Sequence, residues 1–381
     1  MSTALEHDGR SAHAAGPTWA EVDLAAFRRN VAEVRRRLPA RSRLVAVLKA
    51  DGYGHGAVEL ARCCDPGDVA MIATARLVEA LALREAGIVL PILNLGVLND
   101  DQIVEAVQHE ITIGIVGPDD LERAARVARA SERELVVHLK LDSGMGRMGV
   151  IEPELPRVVD ILRGAPALRV DALYTHFANA SDPADPFTAV QIASFDRLVV
   201  ALRDAGISPA IHHLANSAAL MRGLVRPGDY VRAGIVLYGS EPLEAGASRL
   251  EPILRWRTEI VRLKDLPAGR PVGYGGTFRT ARPSRIATLP VGYADGYDRR
   301  LSNRAEVLVR GRRAPVVGRV SMDLTTIDVT DVPGVTTGDE VVLIGRQEGD
   351  EISAEELAAR SETISYEVFC RISARVPRVY K

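Results

Sequence analysis

Only four of the 48 basic residues are lysines, Lys49, Lys140, Lys264 and Lys381. Arginine keeps its proton in proteins, whereas a desolvated lysine can lose one and become a neutral amine that condenses with a carbonyl. Lys49 ends an apolar run and meets three glycines in LVAVLKADGYGHG. That places an amine in a desolvated position beside a backbone able to approach a ligand closely. The glycines follow the lysine, the reverse of a Walker phosphate loop. Schiff-base chemistry is the reaction these residue types suit. Lys264 and Lys381 read as background.

The surrounding elements decide whether such a lysine has partners. Short apolar runs recur at 44–49, 69–73, 90–95, 111–116, 135–141, 170–177, 210–215 and 230–238, with helical spacing between them. Eight doubly buried strands alternating with helices predict an α/β fold, a parallel (β/α)8 TIM-type barrel closing near residue 240. An open doubly wound sheet is the weaker reading, because the first strand is not followed by a GxGxxG turn. From about Glu251 the pattern changes to short alternating runs punctuated by Pro and Gly, which predicts a mostly β second domain. The segmentation is therefore a polar extension at 1–16, a barrel at 17–250 and a β domain at 251–381.

In a barrel, side chains at the carboxyl ends of the strands converge on one mouth. Lys49 ends the first strand, and Lys140 and Arg147 lie at and after the fifth. His176 ends the sixth, Asn216 and Ser217 follow the seventh, and Arg232, Gly234 and Ile235 lie on or beside the eighth. The RAGI run offers backbone N–H groups at Gly234 and Ile235, and Ser217 adds a hydroxyl at a helix start, so a phosphate has an anchor. A lysine and a phosphate anchor in one mouth suggest pyridoxal 5'-phosphate.

The segments KADGYGHG, DSGMGRMG, HFANA, HHLANSA, VRAGIVLYG, GYGGTF, VGYADGY, RVSMD and TISYEVFCRISARVPRVY occur in that order. Together they resemble bacterial alanine racemase, a fold-type III pyridoxal phosphate family, over nearly the whole chain after residue 17. The resemblance implies a homodimer with shared active sites that interconverts L- and D-alanine by a two-base route, for D-alanine biosynthesis and peptidoglycan precursors of the cell wall. It implies that Lys49 binds the cofactor and works one face of the substrate α-carbon, while Tyr274 works the other from the partner's β domain. A tyrosine between glycines is otherwise an ordinary turn residue. Free tyrosine titrates near pH 10, so a tyrosine base needs cationic neighbours, and His176 and Arg232 match the family's hydrogen-bonded network. Arg232 also matches the arginine facing the pyridine nitrogen, which makes the ring a weaker electron sink.

The resemblance further implies that Arg147 bridges the cofactor phenolate and the substrate carboxylate, and that Lys140 is the lysine often carbamylated to orient it. Tyr53, Asn216, Ser217, Gly234, Ile235 and Tyr366 match cofactor-binding positions. Met322 would offer a backbone N–H to the substrate carboxylate from the other subunit, and Tyr293 and Tyr366 would narrow the entrance towards a methyl side chain. Departures are KADGYG for the commoner KANAYG and the polar extension.

Lys+Arg 48 against Asp+Glu 50 gives a net charge of −2 and no reason to expect nucleic acid or an anionic membrane. No apolar run reaches about 18 residues and the first 16 lack a hydrophobic centre, so a cytoplasmic protein is expected. Cys63, Cys64 and Cys370 show no ligand or disulfide spacing and read as buried thiols. No metal is expected: His212 and His213 are adjacent on a strand and face opposite ways. A related decarboxylase would pair the pyridine nitrogen with a carboxylate, which Arg232 opposes. A cofactor carrier without catalysis would lack the β domain and Tyr274. A serine or broad-specificity racemase differs only by pocket changes of about 1–3 kcal/mol.

Overall fold

The computed structural model describes residues 16–131, 133–241 and 249–381. Most of the polar extension, residues 1–15, lies outside the described residues. The described residues divide into two compact units, one lying within residues 26–251 and the other formed by residues 16–25 and 252–381.

In the first unit eight parallel strands form one sheet: β2 (Arg43–Val47), β3 (Val69–Thr74), β4 (Ile92–Asn94), β5 (Ile111–Ile115), β6 (Leu135–Lys140), β7 (Leu168–Tyr174), β8 (Ile211–His213) and β9 (Tyr230–Ala233). Their order is β8-β7-β6-β5-β4-β3-β2-β9, a nearly closed barrel. The remaining seam is bridged where the Arg232 N–H donates to the Ala215 carbonyl at 3.0 Å. Strand interiors are almost wholly apolar and buried, for example Leu44, Val45, Ala46, Ile72, Ala73, Ile92 and Leu93, as expected of strands covered on both faces.

The connecting helices follow ordinary start and stop chemistry. Helix Asp100–Gln108 is capped by Asn99, whose side chain accepts from Gln102 N, while Gln102 Oε1 accepts from Asn99 N at 3.1 Å. Helix Phe187–Asp204 buries Thr188, Gln191, Phe195, Leu198 and Leu202. The apolar Val190 is 54% exposed, and the polar Gln191 takes the inward place.

The second unit contains β1 (Thr18–Val22), β10 (Leu254–Glu259), β11 (Arg262–Leu266), β12 (Pro271–Val272), β13 (Phe278–Arg279), β14 (Ser284–Leu289), β15 (Glu306–Val309), β16 (Arg312–Pro315), β17 (Thr325–Asp328), β18 (Glu340–Gln347), β19 (Asp350–Ile352) and β20 (Arg378–Tyr380). One sheet runs β16-β15-β18-β10-β1-β20 with β19 on β18, and a second runs β11-β14-β17. Two features depart from the sequence reading. Residues 18–22, assigned with the barrel, pair antiparallel with β10 and parallel with β20. The chain end, to which the sequence reading assigns no strand, supplies β20, and Lys381 Nζ meets Glu21 Oε1 at 2.6 Å. Five residues far ahead of a domain carry too short a pattern to reveal which sheet they join. Cys63 and Cys64 are buried, but Cys370 is exposed, correcting the reading of three buried thiols. Among the described residues no helix is long and apolar enough to cross a membrane, and no cluster of His, Cys, Asp and Glu could hold a metal ion.

Candidate active site

Lys49 leaves β2 after Leu48 and opens a turn that apolar periodicity does not anticipate. Ala50 (φ 53°, ψ 49°), Asp51 (52°, 50°), Gly52 (59°, 45°) and Tyr53 (53°, 39°) form a left-handed helical turn. Three of the four are not glycine, and at about 1–2 kcal/mol each the conformation is costly. Such strain persists only where the surroundings hold it. A Cβ at Gly52 would meet Leu60 Cδ1 at 2.9 Å. Asp51 Oδ1 accepts from Ala57 N at 2.8 Å. The His55 ring Nδ1 donates to the Tyr53 and Gly52 carbonyls at 2.9 and 3.0 Å, which puts its proton on Nδ1.

That turn delivers Tyr53. Its ring packs 4.7 Å from Tyr238, whose hydroxyl donates to the Val47 carbonyl at 2.8 Å. A Cβ at residue 234 would come within 2.5 Å of the Tyr53 hydroxyl, so only glycine fits there. The Gly234 N–H donates to Ser217 Oγ at 2.9 Å. Ile235 opens a short turn, Ile235–Tyr238, and Ser217 opens the helix Ser217–Met221. The Ser217 and Tyr53 hydroxyls and the Ile235 N–H, beside a Gly234 N–H that here rests on Ser217 Oγ, are donors of the kind a phosphate takes. Asn216 takes a supporting part: its Oδ1 caps the helix by accepting from Ala219 N at 3.0 Å.

Arg232 on β9 is the hub of the mouth. Its Nη1 lies 2.8 Å from His213 Nδ1 and also donates to the His213 carbonyl. Its Nη2 donates to the carbonyls of Thr175 at 2.5 Å and Leu214 at 3.2 Å and lies 3.3 Å from His176 Nδ1. Burial pushes the guanidinium down to about 10, so it stays charged at neutral pH. His176 is pushed down to about 3, first by desolvation and then by Arg232, Lys140, Arg147 and Lys49. Its imidazole is therefore neutral, accepting at Nδ1. Lys140, buried at the end of β6, is pushed down to about 8 by desolvation and by Arg147 and Arg232. The exposed Arg147 rides on a loop closed by Asp142, whose Oδ1 accepts from Gly144 N at 2.9 Å and Gly146 N at 3.2 Å.

The second unit carries the other expected residues. Tyr274 sits in a tight turn between glycines and is 72% exposed. Met322 and Tyr293 are also exposed, on adjoining loops joined by Tyr293 N to the Ser321 carbonyl and Ala294 N to the Met322 carbonyl, both 3.0 Å. Tyr366 lies in the helix Ser365–Arg371, and burial pushes its hydroxyl up to about 12.

Several residues of the barrel mouth escaped the sequence reading. His213 Nε2 lies 3.1 Å from His138 Nδ1, and Tyr174 stacks on the His213 ring at 4.7 Å. Gln191 donates to the His176 carbonyl at 3.1 Å and accepts from Ala178 N at 2.8 Å. The signal for His138 was present: it lies two residues before Lys140 on the same strand and so faces the same way.

The chain matches the family model for the alanine racemase N-terminal domain over residues 22–242 and that for the C-terminal domain over residues 253–380. It is 45% identical to the alanine racemase of Symbiobacterium thermophilum, over 96% of this chain and 97% of that one. Among solved structures, alanine racemase from Bacillus anthracis with bound L-Ala-P superposes with a TM-score of 0.90 at 37% identity, covering 96% and 95% of the two chains. Alanine racemase from Bartonella henselae with covalently bound pyridoxal phosphate superposes at 0.86 with 26% identity, covering 96% and 100%.

Proposed function

The chain belongs to the alanine racemase family, and from that premise we propose that it interconverts L- and D-alanine as a pyridoxal-phosphate-dependent homodimer. The observation that carries the reading is the convergence at the carboxyl ends of the barrel strands of Lys49, Lys140, His176 and Arg232 beside the donor set of Tyr53, Ser217, Gly234 and Ile235. Those groups fit the cofactor. The donors suit its phosphate, the Arg232 guanidinium is confined to donating towards its ring nitrogen, and the Lys49 amine suits its aldehyde.

When bound, pyridoxal phosphate supplies a carbonyl carbon that condenses with amines and a conjugated ring that accepts the electron pair left on the α-carbon. The chain's own residues then divide the work. Lys49 Nζ holds and moves a proton on one face of the α-carbon. The Tyr274 hydroxyl, contributed by a second copy, does so on the opposite face, which agrees with its exposure in the single chain. Arg232 stays charged and donates without giving up its proton, which favours prompt return of a proton to the α-carbon. His176, neutral and accepting from Arg232, keeps a second ring nitrogen able to donate. Arg147 orients the substrate carboxylate, with the Met322 N–H of the second copy as a further donor, and Lys140 sets Arg147. The lowered Lys140 amine is about one-tenth neutral at pH 7, the form that takes up carbon dioxide. Tyr293 and Tyr366 limit the side chain admitted. Supply of D-alanine for peptidoglycan precursors in the cytoplasm is the role proposed for the product.

The test is incubation of the purified protein with L-alanine, and separately with L-serine, in deuterated water, following optical rotation and α-proton exchange together. Inversion with exchange for alanine supports the reading. Exchange without inversion would refute the two-base scheme, and faster inversion of serine would refute the substrate.

A further inference from the structure

Glu79 belongs to the helix Leu77–Glu85 after β3, yet its carboxylate reaches out of that helix to the strained turn after β2. Oε1 accepts from Ala50 N at 2.7 Å. Oε2 accepts from Ala75 N at 2.8 Å and Arg76 N at 3.0 Å. The two oxygens have different tasks, one closing the start of its own helix and the other gripping the residue directly after Lys49. The grip falls where it is needed. A left-handed turn, like any helical turn, leaves its first N–H groups without an internal acceptor. Gly52 N reaches the Leu48 carbonyl at 2.9 Å, and Ala50 N, among the first donors of the turn, is satisfied from outside it by Glu79. On the other side of Lys49, Leu48 N donates to the Ala73 carbonyl at 3.0 Å. The lysine backbone is thus pinned by a ladder bond just before it and by a carboxylate just after it, both anchored at the end of β3.

We propose that Glu79 is a positioning residue for Lys49: its Oε1 holds the left-handed turn at Ala50 and so fixes the point from which the lysine side chain departs. This rests on the reading that Lys49 carries the cofactor. Glutamine keeps one acceptor oxygen but turns an NH2 towards N–H donors, so Glu79→Gln cannot serve both tasks. Aspartate is one methylene too short to span the two turns.

The test compares the holoenzyme with Glu79→Gln and with Ala82→Gly. The latter loosens the same helix at an exposed interior position without touching Glu79. Hydrogen exchange of the segment 49–56, kcat, KM and the visible absorbance of bound cofactor are read on each. Expected for Glu79→Gln are at least tenfold faster exchange at Ala50 and a tenfold or greater loss in kcat. KM should stay within threefold and the cofactor band should be retained. Ala82→Gly should leave exchange at 49–56 and kcat near those of the unaltered protein. Unchanged exchange at 49–56 in Glu79→Gln, or faster exchange with kcat intact, overturns the proposal. Equal effects from Ala82→Gly reduce Glu79 to a helix cap and overturn it as well. Failure of the underlying reading shows separately, as an unaltered protein whose cofactor is not on Lys49.

Discussion

Arg232 Nη1 lies 2.8 Å from Nδ1 of His213, and this contact fixes the protonation of two buried histidines. Guanidinium only donates, so His213 accepts at Nδ1 and carries its proton on Nε2. That nitrogen lies 3.1 Å from His138 Nδ1, which must accept in turn. A chain running from Arg232 to His213 to His138 is complete only while both imidazoles are neutral.

Acid should therefore destabilise the fold. Desolvation, then Arg232, pushes His138 down to about 4 and His213 well below the usual histidine value. Between pH 6.5 and about 4 the unfolded chain binds protons at these sites and the folded chain does not, so stability present above pH 6.5 is lost as pH falls. By pH 5 each histidine should withdraw about 2 kcal/mol. Urea unfolding at pH 7.5 and 5 checks this, and a midpoint that does not fall would contradict the neutral assignment.

Gly234→Ala should weaken cofactor binding at least tenfold, about 1.4 kcal/mol, because its Cβ would press within 2.5 Å of the Tyr53 hydroxyl. Tyr53→Ala placed on top should relieve the clash and bring no further tenfold loss. Absorbance titration with pyridoxal phosphate reads both, and additive losses would argue against a shared cradle.

Lys140 should carry a carbamate. Its amine, pushed down to about 8, is a better nucleophile at neutral pH than an ordinary lysine. Carbon-13 NMR of protein equilibrated with labelled bicarbonate should show a carbamate signal that Lys140→Arg removes. A signal that survives that substitution would place the modification elsewhere.

Tyr274→Phe should lower turnover by about 10²–10⁴-fold while leaving the cofactor band intact. Proton exchange from the enantiomer served by Lys49 should outlast inversion. Full activity in this variant would remove Tyr274 from the chemistry.

The barrel was legible because doubly buried strands leave unbroken runs of Val, Ile and Leu, and the β domain because its runs shorten between Pro and Gly. Lys49, Lys140, His176 and Arg232 stood out as polar residues at strand ends, a position with a physical meaning in this fold. Tyr274 and Met322 had no such mark and were reached only through motif resemblance. The left-handed turn was hidden, since Ala50, Asp51 and Tyr53 have no local preference for it and are held there by Asp51, His55 and Glu79 acting on backbone groups. Gln191 and His213 were hidden for a related reason: they act on the carbonyl of His176 and on Arg232, contacts that depend on strands distant in sequence. The strands β1 and β20 were missed because pairing between the two ends of a chain leaves no local pattern.

Reduction of the holoenzyme with borohydride, followed by digestion and mass spectrometry, asks directly which amine holds the cofactor. The mass of a pyridoxyl phosphate group is expected on the peptide containing Lys49. Finding it on Lys140, Lys264 or Lys381, or on no lysine, would contradict the account.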